Sequence, residues 1–203
     1  MASKRIKITS IVLLLIFLAL TIIILALQGN PCPTDKALNT AITVIETPTL
    51  TTISEIIAVI FDTITLAIIS LIIAGYLIFK GSKREGIFFA STVVATTALV
   101  FIIKNVIQRA RPLNALIAET NFSFPSGHAT IIVVFLGLII YLVSKSKAKE
   151  KTKLGIKVEL TILAIFVMFT RLYLRVHWLT DVLTGAALGG FILATSIIIF
   201  ERK

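Results

Sequence analysis

The feature that most constrains this chain is a series of long apolar runs separated by short basic or turn-rich segments, at 8–27, 56–79, 87–103, 129–143, 158–174 and 182–200. A helix rises about 1.5 Å per residue, so about 20 apolar residues cross roughly 30 Å of hydrocarbon. The run at 129–143 is short, and Ser126 to His128 bring it near the required length. With 57% hydrophobic residues and a mean hydropathy of +1.03, the chain lacks the polar surface that a water-soluble fold needs. The expectation is an all-α, six-helix integral membrane bundle with short loops, forming one domain over residues 1–203. The first run follows Lys4, Arg5 and Lys7 like a signal peptide. It is long for one and has no clear small-x-small cleavage site, so it reads as a retained helix.

The net charge of +10 does not point to nucleic acid, because the basic residues form short clusters between apolar runs rather than a face with stacking aromatics. Lysine and arginine stay on the cytoplasmic side of short loops. That rule places both termini, Lys80 to Arg84, and the Lys145–Lys157 run on the cytoplasmic side of the cell membrane. The outward set is then Lys36, Lys104, Arg109, Arg111, Arg171 and Arg175, most of it next to the third, fourth and fifth spans. The first outer loop carries helix-start signals around Pro33 to Asp35, so a short interfacial helix is expected over 35–45, mainly structural. Cys32 is alone and reads as an incidental thiol.

Three outward clusters carry the chemistry. Lys104 and Arg111-Pro112 leave the third span. Such cations either snorkel to headgroups or bind phosphate, for which the planar arginine fork is suited, and Pro112 is expected to end the helix. Pro125-Ser126-Gly127-His128 precede the fourth span. A helix amino terminus accepts anions, although Ser126 alone reads equally as an ordinary cap. His128 is what a cap leaves unexplained, and at an anion site it can protonate a leaving alkoxide. Thr170-Arg171 are followed after five residues by His177 and after three more by Asp181. Asp181 can orient His177 as a nucleophile or merely cap the sixth helix with it. On one straight helix Arg171 and His177 would point about 120° apart, so a break is expected between them.

Together these residues, Lys104-x6-Arg111-Pro112, Pro125-Ser126-Gly127-His128 and Arg171-x5-His177-x3-Asp181, closely resemble the tripartite signature of the type 2 phosphatidic acid phosphatase (PAP2) superfamily. The resemblance covers nearly the whole chain apart from its termini. One departure is Thr170, where the family usually has serine. The resemblance implies a membrane lipid phosphatase in which His177 attacks phosphorus to give a phosphohistidine, oriented by Asp181. His128 would protonate the departing oxygen and later assist water. Lys104, Arg111, Ser126, Gly127 and Arg171 would hold the phosphate oxygens. No metal or other cofactor is expected, and the sequence shows no cluster of outward carboxylates that would suit magnesium.

The expected partner is a phosphorylated membrane lipid. The small size and the link from Leu113 to Phe124 look like those of compact prokaryotic polyprenyl-diphosphate phosphatases; phosphatidylglycerophosphate or phosphatidic acid is the alternative. A non-catalytic phosphate-lipid binding or transport protein would need none of His128, His177 and Asp181. Arg109 and Arg175 read as snorkelling residues with a possible hold on a second phosphate, and Asp62 as an acid within the second span that can still reach interfacial water. Gly185, Gly189 and Gly190 form a small-residue face suited to packing within the chain.

Overall fold

The computed structural model describes residues 4–202, so Met1 to Ser3 and Lys203, part of the basic termini discussed above, lie outside the described residues. The helices are α1 (Lys4–Ala26), α2 (Pro33–Ile42), α3 (Pro48–Ile60), α4 (Thr63–Phe79), α5 (Lys83–Ile107), α6 (Gly127–Lys145), α7 (Glu150–Tyr173) and α8 (Leu179–Glu201). A 3-10 turn at Thr43–Ile45 extends α2, so a short helix is present where one was expected.

Most helices outrun the apolar stretches that announced them. Hydropathy marks only the part that lipid can cover, whereas backbone hydrogen bonding continues into the interface. Among the described residues, four helices, α1, α5, α6 and α8, are long and apolar enough to cross a membrane, and α3 with α4 makes a fifth if the bent pair is one span. α7 has 24 residues but carries Lys151, Lys153, Lys157, Glu159 and Arg171, which dilute its apolar character.

Two sequence expectations need correction. The run at 56–79 is not one straight helix, because α3 and α4 meet at a bend of 47°. Asp62 causes the break: it is extended (φ −62°, ψ 152°), and its carboxylate accepts from the Ile64 amide at 2.8 Å. An N-cap residue of this kind starts a new helix rather than continuing the old one. Pro112 is not what ends α5. The helix stops at Ile107, where Gln108 turns left-handed (φ 52°).

α6 is the central helix, packed by α4, α5, α7 and α8. Its core partners include Leu66, Phe89, Val93 and Val167 around Ile131, Ile132 and Phe135. Inside a bilayer, lipid is as apolar as leucine, so helices associate through close packing at small residues. A Cβ on Gly185 would lie 2.7 Å from the Ser126 carbonyl oxygen, and one on Gly189 would lie 2.5 Å from that of Thr130. The glycine face thus lets α8 lie directly on the start of α6. On the other side of α8, Gly190 admits Leu13 of α1, and Ser10 meets Thr195 at 2.9 Å. Apolar side chains such as Ile11, Leu15 and Ile22 stay exposed on the outside of α1, as a lipid-facing helix requires.

At the end of the bundle where α6 begins, a second apolar cluster of Ile42, Ala58, Tyr173, Leu174 and Val176 ties α2 and α3 to the end of α7. The Tyr173 hydroxyl donates to the Thr47 carbonyl at 3.1 Å and accepts from the Thr47 amide at 3.0 Å. The segment from α2 to α3 is therefore docked onto the bundle.

Candidate active site

The expected break between Arg171 and His177 is present: α7 ends at Tyr173 and α8 begins at Leu179. Arg175 turns the chain with φ 53°, a left-handed conformation that costs a non-glycine residue energy unless neighbours hold it. Its side chain is held by Glu46 at 2.7 Å and by the Asn114 carbonyl at 2.8 Å. Val176 and His177 then turn back toward the start of α6.

The three sequence clusters come together here. Lys104, Arg111, Gly127, His128 and His177 line one cavity of about 220 Å³, with Glu119 and Asp62 at its wall. A larger cavity of about 650 Å³ lies between α5 and α8 at the opposite end, lined by Ile87, Phe88 and Phe200 without a histidine. The smaller one gathers residues from all three sequence clusters. Ser126 and Arg171 sit behind its wall, fully buried. Ser126 caps α6 by accepting from the Ala129 amide at 3.4 Å, and its own amide donates to the Asp181 carbonyl at 3.1 Å. The phosphate-motif turn is thus fastened to the helix that carries Asp181.

Nε2 of His177 lies 3.4 Å from Nη1 of Arg111. A guanidinium can only donate, so this nitrogen faces it as an acceptor and the ring proton belongs on Nδ1. Nδ1 stands 3.6 Å from Oδ2 of Asp181. That distance is beyond a good hydrogen bond, and Nδ1 has no other partner. The geometry is that of a base with a carboxylate behind it, in a form that must tighten by a few tenths of an ångström to be fully engaged. Asp181 also accepts from the Trp178 amide at 2.9 Å, which is the capping reading of this residue. Burial, then the cations Arg111, Lys104 and Arg171 and then His128, hold the His177 imidazole well below its ordinary value of 6.5. It is therefore neutral, with a free lone pair, at neutral pH.

His128 is directed across the cavity by the Ala58 carbonyl, 3.0 Å from Nε2. Asp62 stands 3.8 Å from the same nitrogen. The acid within the second apolar run thus has a place beside a histidine of the site, through the break it creates. Arg111 is held in a fan of acceptors, with Nε on the Asn121 carbonyl at 2.7 Å and Nη1 on that of Val176 at 2.6 Å. Lys104 donates to the Phe122 carbonyl. Burial, with Arg171 nearby, lowers the Arg111 pKa, and Glu119 counters this.

The sequence reading missed Glu119. Its carboxylate binds Arg171 and lies 3.5 Å from Arg111, so it stands where an anion would be held by both. Nε and Nη1 of Arg171 have no hydrogen-bond partner among the described residues although they are buried. Donors left open in this way are suited to an incoming oxyanion. The only local hint of Glu119 was an acid in the link between two basic motifs.

Arg109 and Arg175 do not snorkel. Arg109 is 1% exposed and Arg175 7%, and they pair with Asp35 and Glu46 respectively, between α1 and α3. Neither lines the cavity, so neither is available to a second phosphate. Among the described residues no group of three or more His, Cys, Asp or Glu side chains is placed to hold a metal ion.

Comparison with known proteins agrees with this arrangement. The PAP2 superfamily pattern matches residues 85–203, the stretch from α5 to the carboxyl end that contains all three clusters. The chain is 30% identical over 177 residues to phosphatidylglycerophosphatase B of Bacillus subtilis, covering 86% of this chain and 87% of that protein. It is 34% identical over 128 residues to undecaprenyl-diphosphatase of Sulfolobus acidocaldarius, covering 60% and 58% respectively. A crystal structure of a transmembrane PAP2-type phosphatidylglycerolphosphate phosphatase from Bacillus subtilis superposes with a TM-score of 0.84 at 28% identity, covering 96% of each chain. With its signature residues gathered around one cavity at a helix amino terminus, this chain belongs to the PAP2 superfamily and is a membrane phosphatase.

Proposed function

We propose that the protein hydrolyses a phosphate ester or diphosphate of a membrane lipid, without a metal, through a phosphohistidine on His177. The observation that carries this reading is the imidazole Nε2 of His177, 3.4 Å from Arg111, in the same cavity as Lys104, Gly127 and His128. The His177 lone pair attacks phosphorus as the bond to the leaving oxygen breaks, and His128 gives that oxygen a proton. Water, deprotonated by His128, then cleaves the nitrogen–phosphorus bond and releases inorganic phosphate. Asp181 holds the Nδ1 proton and balances the charge that His177 acquires. Arg111, Arg171, Lys104, Ser126 and the Gly127 backbone stabilise the phosphoryl oxygens, which is most of what phosphoryl transfer asks of a protein. Glu119 gives way as phosphate takes over its two arginines.

The reading includes a single-domain bundle of six spans, with the α3–α4 pair and α7 each crossing once and both termini cytoplasmic. The histidine-bearing end is then extracytoplasmic. Support comes from the basic run Lys145–Lys157 at the other end. An isoprenoid diphosphate is the first substrate reading, supported by the extracytoplasmic position and the undecaprenyl-diphosphatase relative. Phosphatidylglycerophosphate is the second, supported by the relative that aligns over 86% of this chain.

Detergent-solubilised protein should release phosphate from one or more of isoprenoid diphosphate, phosphatidylglycerophosphate and phosphatidic acid in the presence of chelator. A strict requirement for a divalent ion would overturn the mechanism. Acid-quenched, radiolabelled enzyme should carry an acid-labile, base-stable phosphoryl group that is absent from His177→Ala.

A further inference from the structure

Arg109 is the largest fully buried charged side chain beside the site that the mechanism above leaves unused. Its guanidinium joins two carboxylates, both fully buried: Nη1 donates to Oδ1 of Asp181 at 2.5 Å, and Nη2 donates to Oδ2 of Asp35 at 2.8 Å. Nε donates to the Gly29 carbonyl at 3.1 Å, and Nη1 also reaches the Thr180 hydroxyl at 2.7 Å. Asp35, at the start of α2, is itself fixed from α8. Its Oδ1 accepts from the Thr180 amide at 2.9 Å, and its Oδ2 accepts from the Thr180 hydroxyl at 2.8 Å. Burial raises the Asp35 pKa, but hydrogen bonds from Thr180 and Arg109 outweigh it and the carboxyl is held below its ordinary range.

We propose that Arg109 and Asp35 are positioning residues for the hydrolysis: the outer-loop helix α2, acting through Arg109, fixes the Asp181 carboxylate so that Oδ2 faces the Nδ1 of His177. The proposal rests on the reading of His177 as nucleophile.

The argument is one of bonding capacity. Asp181 has one oxygen, Oδ1, taken by Arg109, while Oδ2 receives the Trp178 amide and faces His177. With Oδ1 clamped, the carboxylate cannot rotate, and Oδ2 keeps its remaining lone pair toward the imidazole. Without the guanidinium, Asp35 and Asp181 would be two buried carboxylates joined through Thr180, and one of them would take up a proton. A protonated Asp181 could not balance the charge on His177. Lysine cannot replace arginine here, because a point ammonium lacks the planar fork that serves two carboxylates, a hydroxyl and a carbonyl at once. The cluster also ties the start of α2 to the start of α8.

A purely structural glue between α2 and α8 would lower the amount of folded enzyme and leave each folded molecule fully active. A positioning role lowers the rate per folded molecule. The test uses full-length Arg109→Lys, Asp35→Asn and Thr180→Val in detergent, each normalised to the monodisperse fraction, with His177→Ala alongside. In Arg109→Lys and Asp35→Asn, kcat should fall roughly 10- to 100-fold, as is usual when the partner behind a reacting side chain is lost. KM should stay within about twofold, because the phosphate-binding cations are untouched. Inhibition by vanadate, which takes five-coordinate geometry on the nucleophile, should weaken in step with kcat. Inhibition by inorganic phosphate should not. Thr180→Val removes a hydroxyl without changing shape, and its kcat should fall several-fold; it decides the matter if Arg109→Lys cannot be purified folded. Wild-type kcat per folded molecule in Asp35→Asn and Thr180→Val, with His177→Ala inactive, would overturn this proposal alone. Turnover retained by His177→Ala would instead overturn the nucleophile on which it rests.

Discussion

The two ends of the bundle carry the same kinds of charged residue and treat them in opposite ways. At the histidine-bearing end, Arg109 and Arg171 are 1% and 0% exposed and are paired with Asp35, Asp181 and Glu119. At the lysine-rich end, Lys145 pairs with Glu201 at 2.9 Å while its side chain is 62% exposed, and Glu150 pairs with Lys153 while 85% exposed. Exposed pairs contribute little and follow the needs of membrane orientation. Buried ones are costly to desolvate, and breaking one leaves an uncompensated charge. Among the described residues, ion pairs with both side chains fully buried occur at the histidine-bearing end, and they mark where holding a fixed arrangement costs stability.

The sharpest test of this contrast is His177→Ala, which should lower phosphate release by roughly 10⁶-fold, the scale seen when a nucleophile is removed from a cooperating set. Residual turnover near wild type would mean that the buried charges serve packing alone. Next in size, Arg171→Ala should cost roughly 10²- to 10³-fold in kcat/KM, as for loss of one oxyanion donor. Lipid-phosphate titrations that leave kcat/KM within a few-fold of wild type would show that its open donors are not used.

A third test is stability against pH. The His177 imidazole is held neutral in the folded protein by burial and neighbouring cations, below its ordinary 6.5. Its folded pKa is depressed, so the stability it contributes is full above about pH 6.5 and is lost as pH falls, because the unfolded chain takes up a proton that the folded one refuses. Thermal unfolding in detergent should therefore lose at most about 1.4 kcal/mol per pH unit below that point. The slope should flatten in His177→Asn; an unchanged slope would assign it to another group. Smallest of all, Lys145→Ala at the opposite end should change stability by about 0.5 kcal/mol or less and leave turnover unaltered. A large loss of activity there would break the division between the two ends.

Several parts of this picture were legible in the chain. The apolar runs announced helices because lipid exposure is a property of each segment by itself, and the motif residues Lys104, Arg111, Ser126, Gly127, His128, Arg171, His177 and Asp181 could be singled out from their spacing and side. Even the break after α7 followed from helical geometry. The break before α4 did not, because Asp62 reads as an acid inside an apolar run until its backbone is seen to be extended. Arg109 and Arg175 were misread for a similar reason: an arginine beside a membrane span looks alike whether it reaches for headgroups or for a buried carboxylate.

The sequence by itself determined which segments are helical and apolar, and which residues can do phosphoryl chemistry, since both rest on side-chain type and on periodicity within a few turns. Only the tertiary structure decided which charges meet. The Arg109–Asp181 pair spans 72 residues of chain and the Thr180–Asp35 pair 145, and no local pattern encodes a contact of that range. Its energy depends on the water that three packed helices exclude together.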